Sequence, residues 1–127
     1  MRPGLLDSPA SWATKAGLDY AALNQRLISD NIANVDTPGY KVVKLNFRDY
    51  FEQAQRAVER RMKPEIPDAE DYIFRDESTT MRLDGNNVDP EREMAELANN
   101  SLYYSTLIEI DRRRGKIMML ALTEGKA

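Results

Sequence analysis

The sequence predicts a mainly α chain, with a long helix at each end, a short central helix and an irregular acidic loop. Three observations predict it. Apolar residues between Ala13 and Leu27 recur at three- and four-residue steps, the spacing of one helical face. Pro38-Gly39 then stops that pattern, because proline cannot continue a helix and pushes Thr37 out of the α region. From Pro90 onward the only helix breaker before Gly125 is Gly115, so a second long helix follows.

Composition narrows the chemistry. A chain of 127 residues is one domain's worth, and 31% charged residues with a net charge of -3 give no global pull toward nucleic acid. Cysteine and histidine are both absent, which excludes disulfides, thiolate catalysis, Cys/His zinc sites and imidazole acid–base chemistry. No stretch approaches the roughly 20 apolar residues of a membrane span, so direct membrane insertion is not expected. The segment Met1–Asp7 lacks an apolar core of signal-peptide length, so export by a cleaved signal is not expected either. Nothing resembles a nucleophile–base pair, a phosphate loop or a cofactor site, and no catalytic, metal or cofactor residue is assigned.

The elements follow in order. Residues 1–10, with Pro3, Gly4 and Pro9, read as a flexible leader. A first helix over 11–35 carries Ala16, Tyr20, Leu23 and Leu27 as its packing stripe, opposite Lys15, Asp19, Asn24 and Arg26. Gly17 is a local weakness in it, and a lone helix about 36 Å long needs something to lie against. Residues 36–88 comprise the turn, a short helix at about 48–61 and an irregular segment. Val42, Val43 and Leu45 look briefly extended, and residues 63–83 read as a solvated acidic loop with one short strand at 72–75. A loop that long points to an assembly module rather than a self-sufficient globule.

The final helix, 89–124, begins with a capping aspartate, Asp89, and Pro90 at its first position. Met94, Leu97, Ser101, Tyr104, Ile108, Asp111, Gly115, Met118 and Leu122 make a heptad-like seam. Beside it run Tyr103, Leu107, Ile110, Ile117 and Ala121. One antiparallel partner helix cannot bury so much apolar surface, and neighbouring subunits would have to cover the rest.

Several motifs have bland readings. Near a helix end, Asn31 and Asn34 read first as local caps. The carboxylates of 68–77 lack calcium-loop spacing. Arg112-Arg113-Arg114-Gly115-Lys116 points around the helix rather than along one face, which suits intersubunit ion pairs better than nucleic acid. Met118 and Met119 are packing residues.

Two blocks carry a resemblance. The run Ser29-Asp30-Asn31-Ile32-Ala33-Asn34-Val35-Asp36-Thr37-Pro38-Gly39-Tyr40-Lys41 is similar to the signature shared by rod, hook and hook-associated subunits of the bacterial flagellum. Asp84-Gly85-Asn86-Asn87-Val88-Asp89, with Glu93–Ala98 and Leu102-Tyr103-Tyr104, resembles the proximal rod type within that axial family. The leader before Trp12 and the acidic stretch 63–77 match nothing in it.

The resemblance implies that the terminal helices pair as an antiparallel coiled coil and pack into a helical tube that transmits torque. It makes Asn31, Ile32, Asn34, Thr37, Pro38, Gly39, Tyr40, Asp84, Gly85, Asn87, Val88 and Asp89 candidate assembly residues. The implied partners are other copies of the chain, neighbouring rod proteins, the ring–rod junction protein and the flagellar type III export apparatus. The implied location is the periplasmic rod of the basal body, and Leu5, Leu6 and Trp12 become candidates for recognition during export. The alternative is a cytosolic helical adaptor or flagellar export chaperone, which would also be small, acidic and amphipathic.

Overall fold

Two cap-proline starts set the frame of the computed structural model, which describes residues 8–62, 69–79 and 81–125. Helix α1 spans Pro9–Ala33. Ser8 caps it in a reciprocal box, its Oγ accepting from the Ser11 N–H while the Ser11 Oγ accepts from the Ser8 N–H. The helix thus starts ahead of the expected residue 11, because Ser8-Pro9 is a helix start of the same kind as Asp89-Pro90 rather than part of a leader. The expected leader is otherwise residues 1–7, with Leu5 and Leu6, and lies outside the described residues.

The central elements follow the turn. Strand β1 is Val43–Leu45 and helix α2 is Phe47–Glu59, capped by Asn46 accepting from the Asp49 N–H. Helix α2 ends short of the expected residue 61 because Arg61 takes φ 53 and closes a Schellman turn. There the Met62 N–H donates to the Ala57 carbonyl and the Arg61 N–H to that of Val58. A 3-10 turn at Ala69–Tyr72 leads into strand β2, Ile73–Arg75.

The two strands pair antiparallel, with Val43 opposite Arg75 and Leu45 opposite Ile73. The described part of the expected acidic loop therefore folds back onto the chain, while residues 63–68 and 80 lie outside the described residues. Helix α3 spans Pro90–Glu124, about 52 Å, with the Asp89 carboxylate accepting from the Glu91 and Arg92 N–H groups.

Helices α1 and α3 pair antiparallel. Asn31 meets Glu93, Asn24 meets Asn100, and Thr14 meets Arg114 at the far end. At Gly17 the approach is close, since a Cβ there would lie 2.9 Å from Leu107 Cδ1 and 3.2 Å from the Tyr103 hydroxyl. Gly17 is thus a point of contact between the helices, where the sequence alone reads only a weakness.

The core is aromatic and sits where α2 and the two-stranded sheet lie on the middle of α1. The Tyr20 ring is 5.0 Å from Phe47, 5.4 Å from Tyr50, 5.9 Å from Phe51 and 6.5 Å from Tyr103, mostly edge to face. Pairs of this kind contribute about 0.5–1.5 kcal/mol each beyond their burial. The buried Tyr50 hydroxyl donates to the Ala16 carbonyl at 2.7 Å, one of the α1 backbone acceptors already used within the helix. Burial pushes both phenols up, Tyr20 to about 12 and Tyr50 further.

On α1, Ala16, Tyr20 and Leu27 are buried and Leu23 packs against the core from a half-buried position. The α3 stripe needs correction. Leu97, Ile108 and Met118 are half-buried, but Met94, Tyr104 and Leu122 are exposed. Glu93, Asn100, Tyr103, Leu107 and Arg114 face α1 instead. The heptad drawn through apolar residues assumed an apolar seam, whereas this seam is built largely from amides, a carboxylate and a glycine contact, and it lies to one side of that line. Among the described residues no helix is long and apolar enough to cross a membrane.

Candidate functional site: an amide-bonded joint and an open helix face

The end of α1 is where the chain reverses. Asn34 caps the helix locally, its Nδ2 donating to the Asp30 carbonyl at 2.8 Å and its Oδ1 accepting from the Thr37 hydroxyl. Thr37-Pro38-Gly39-Tyr40 forms the expected turn, closed by the Tyr40 N–H donating to the Thr37 carbonyl, with Gly39 at φ 74. One turn back, Asn31 is 1% exposed and uses its whole hydrogen-bonding capacity. Its Nδ2 donates to the Val43 carbonyl and Glu93 Oε2, and its Oδ1 accepts from the Val43 N–H and the Tyr40 hydroxyl, all at 2.9–3.1 Å. The amide thereby pairs with both backbone groups of Val43 and holds the entry to β1 against α1. Tyr40 itself is half-buried, and burial raises its phenol above the ordinary value.

Two more amides close the joint from the other side. Asn86 has no exposed surface; its Nδ2 donates to the Asn34 and Thr37 carbonyls and its Oδ1 accepts from the Val88 N–H. Asn87 accepts from the Val42 N–H at 2.7 Å and donates to the Asp76 carbonyl and the Thr79 hydroxyl. Gly39 and Gly85, both at positive φ, cross back to back. The Gly39 N–H donates to the Asp84 carbonyl, and a Cβ on Gly85 would lie 3.5 Å from Gly39 Cα.

The Lys41 ammonium donates to the Gly85 carbonyl and the Arg82 guanidinium to that of Val35. Lys44 pairs with Asp76 at 2.6 Å, and that hydrogen bond, seconded by Ser78, holds the Asp76 carboxyl well below the usual carboxylate range. A buried donor or acceptor left unpaired costs about 1–3 kcal/mol, so a fully satisfied network of this kind holds one geometry.

The structure thus brings Asn31, Thr37, Pro38, Gly39, Tyr40, Asp84, Gly85, Asn87, Val88 and Asp89 to one end of the helical pair, around the turn and the start of α3. Ile32 is half-buried beside them, and the Asn34 side chain serves its own turn while its carbonyl accepts from Asn86. Sequence reasoning left out Asn86, Glu93, Lys41 and Asn100 as site residues. Asn86 and Glu93 stood in blocks that carry the resemblance, but neither showed a partner distant in the chain. For Asn100 a signal existed, because paired asparagines inside a helix oppose its propensity.

The other candidate surface is the outer side of α3. Leu102, Ile110, Ile117, Met119, Leu120 and Leu122 are each between 45 and 69% exposed, and α3 runs on past the level of Thr14 to Glu124. Among the described residues nothing covers these side chains, which are spread around more than one side of the helix and make it a candidate interaction surface. The described residues contain no group of three or more His, Cys, Asp or Glu placed to hold a metal ion.

Comparison with known proteins fits these two features. The family described as flagella basal body rod protein matches residues 17–41, most of α1 and the turn after it. The chain is 37% identical over 117 residues to the flagellar basal body rod protein FlgB of Bacillus subtilis (strain 168), covering 86% of this chain and 89% of that one. It is 28% identical over 120 residues to the FlgB of Borreliella burgdorferi, covering 83% and 89%. To the flagellar basal-body rod protein FlgG of Buchnera aphidicola subsp. Schizaphis graminum it is 42% identical over 48 residues, which are 38% of this chain and 18% of that one.

Proposed function

This chain belongs to the FlgB family of flagellar basal-body rod proteins, structural subunits of the motility apparatus, and from that premise we propose that it builds the proximal part of the rod. In this reading copies of the chain and neighbouring rod proteins pack their paired helices side by side into a helical tube that transmits torque. The ring–rod junction protein lies at its base, and the chain reaches the periplasm through the flagellar type III export apparatus without a cleaved signal. Its work is packing, with no reaction catalysed. The joint of Asn31, Asn86 and Asn87 fixes how the central segment leaves the helical pair, so that each copy presents the same shape.

The observation that carries this reading is the number of exposed large apolar residues on α3 from Leu102 to Leu122, which nothing in the described chain covers. Contacts of that kind, repeated head to tail without closing, generate a filament.

The test is the pair of substitutions Ile117→Glu and Leu120→Glu, both at exposed positions. Stability of the isolated chain should change by no more than about 0.5 kcal/mol, as for ordinary surface sites. Rod assembly and motility should be lost, as they should on deletion of residues 110–127. Normal rods in cells carrying only the double variant would overturn the reading.

A further inference from the structure

The contacts between α1 and α3 recur at one interval. Asn31 meets Glu93, Asn24 meets Asn100, Gly17 meets Leu107, and each pair lies seven residues from the next on both helices. One layer is unlike ordinary helix packing. Asn100 is buried, yet its Nδ2 donates to the Ala21 backbone carbonyl at 2.8 Å and to Gln25 Oε1, while its Oδ1 accepts from Asn24 Nδ2 at 3.1 Å.

A side chain bonded to another helix's backbone carbonyl fixes the axial position of the two helices, which apolar contacts alone do not. Sliding α3 by one heptad, roughly 10 Å, would set Asn24 against Leu107 and Asn31 against Asn100 in one direction, or Asn24 against Glu93 and Gly17 against Asn100 in the other, and either slip breaks the Asn24–Asn100 pair. Such buried polar groups are costly unless paired. The exposed apolar residues of α3 supply little discrimination, because the helix carries them on more than one side.

We propose that the Asn24–Asn100 layer is the register determinant of the helical pair, selecting the intended α1–α3 pairing over slipped pairings and over pairings exchanged between copies. Its assembly consequence rests on the rod reading: register sets where the open face of α3 stands relative to the joint, and a neighbouring subunit must meet both. The layer stabilises the pair less than a leucine layer of the same volume would, and contributes uniqueness instead. Glu93 at the joint acts in the same sense one heptad away, through Asn31.

The test uses the full chain, in which cysteines introduced at Lys15 and Lys116 are the only thiols and can carry spin labels. The original sequence should give one narrow distance distribution between them. With Asn24→Leu and Asn100→Leu together, the melting temperature should hold or rise. The distribution should broaden or gain a component displaced by roughly 10 Å, or exchanged oligomers should appear in sedimentation, and rod incorporation should fall.

A control, Asn24→Ser, keeps the Asn100 bond to the Ala21 carbonyl and should keep the single distribution. A double-leucine chain that stays monomeric with one unchanged distance overturns the proposal, whether its melting temperature rises or falls. If register is lost and rods still form normally, the register claim stands and its link to assembly fails.

Discussion

The joint and the distal half of α3 are opposite kinds of surface. At the joint, Asn31 and Asn86 are fully buried and amides join four separate segments with their donors and acceptors satisfied inside the chain. On α3, Ile117, Met119 and Leu120 stand more than half exposed. One region is finished by the chain itself; the other is finished only by something else. In the proposed rod subunit this division is physically sensible, because the fixed joint would carry the shape while the open apolar residues of α3 would carry the affinity.

Asn31→Ala attacks the finished region and should have the largest effect. It leaves the Val43 N–H and carbonyl, the Tyr40 hydroxyl and Glu93 without their shared partner. A loss of about 3 kcal/mol is expected in denaturant unfolding, several times the cost of the paired glutamates on α3. A loss equal to that of the glutamate pair would erase the contrast between the regions.

Gly17→Val should cost less, about 2 kcal/mol by thermal unfolding, because Leu107 and Tyr103 already occupy the space of a side chain there. It probes the helix contact between the two regions, and a neutral result would mean that the helices separate easily.

The smallest effect at neutral pH is expected for Tyr20→Phe, whose value lies in its pH dependence. Burial raises the folded-state pKa of Tyr20 to about 12, with Tyr103 and Glu96 adding to it. Its contribution is therefore fully present below the ordinary phenol value near 10 and is lost as pH rises through about 12. The Phe variant should lose less stability than the parent across that alkaline window; parallel curves would place Tyr20 in water.

The division also explains what could be read from sequence. Local chemistry was legible: the Pro38-Gly39 turn, the Asp89-Pro90 start and the strand at 72–75 depend on neighbours in the chain. Ser8-Pro9 carried the same signal and was absorbed into the leader by its neighbouring prolines and glycine. Long-range pairing was not legible. An asparagine announces that it will hydrogen-bond, but not that Asn31 will reach Glu93 or that Asn86 will hold the Thr37 carbonyl. The seam of α3 was misplaced for the same reason, since Glu93, Asn100 and Arg114 stand among its inward positions beside Tyr103 and Leu107, while many of its apolar residues face outward.

Hydrogen exchange resolved by residue, on the isolated full chain and on assembled rods, tests the central claim most directly. In the isolated chain the Val42, Val43 and Val88 amides, which donate to buried asparagine oxygens, should exchange near the rate of global unfolding. The amides of residues 110–124 should exchange much faster and become protected only in the rod. Equal protection of both regions in the isolated chain, or a joint that opens before α3 does, would contradict the account.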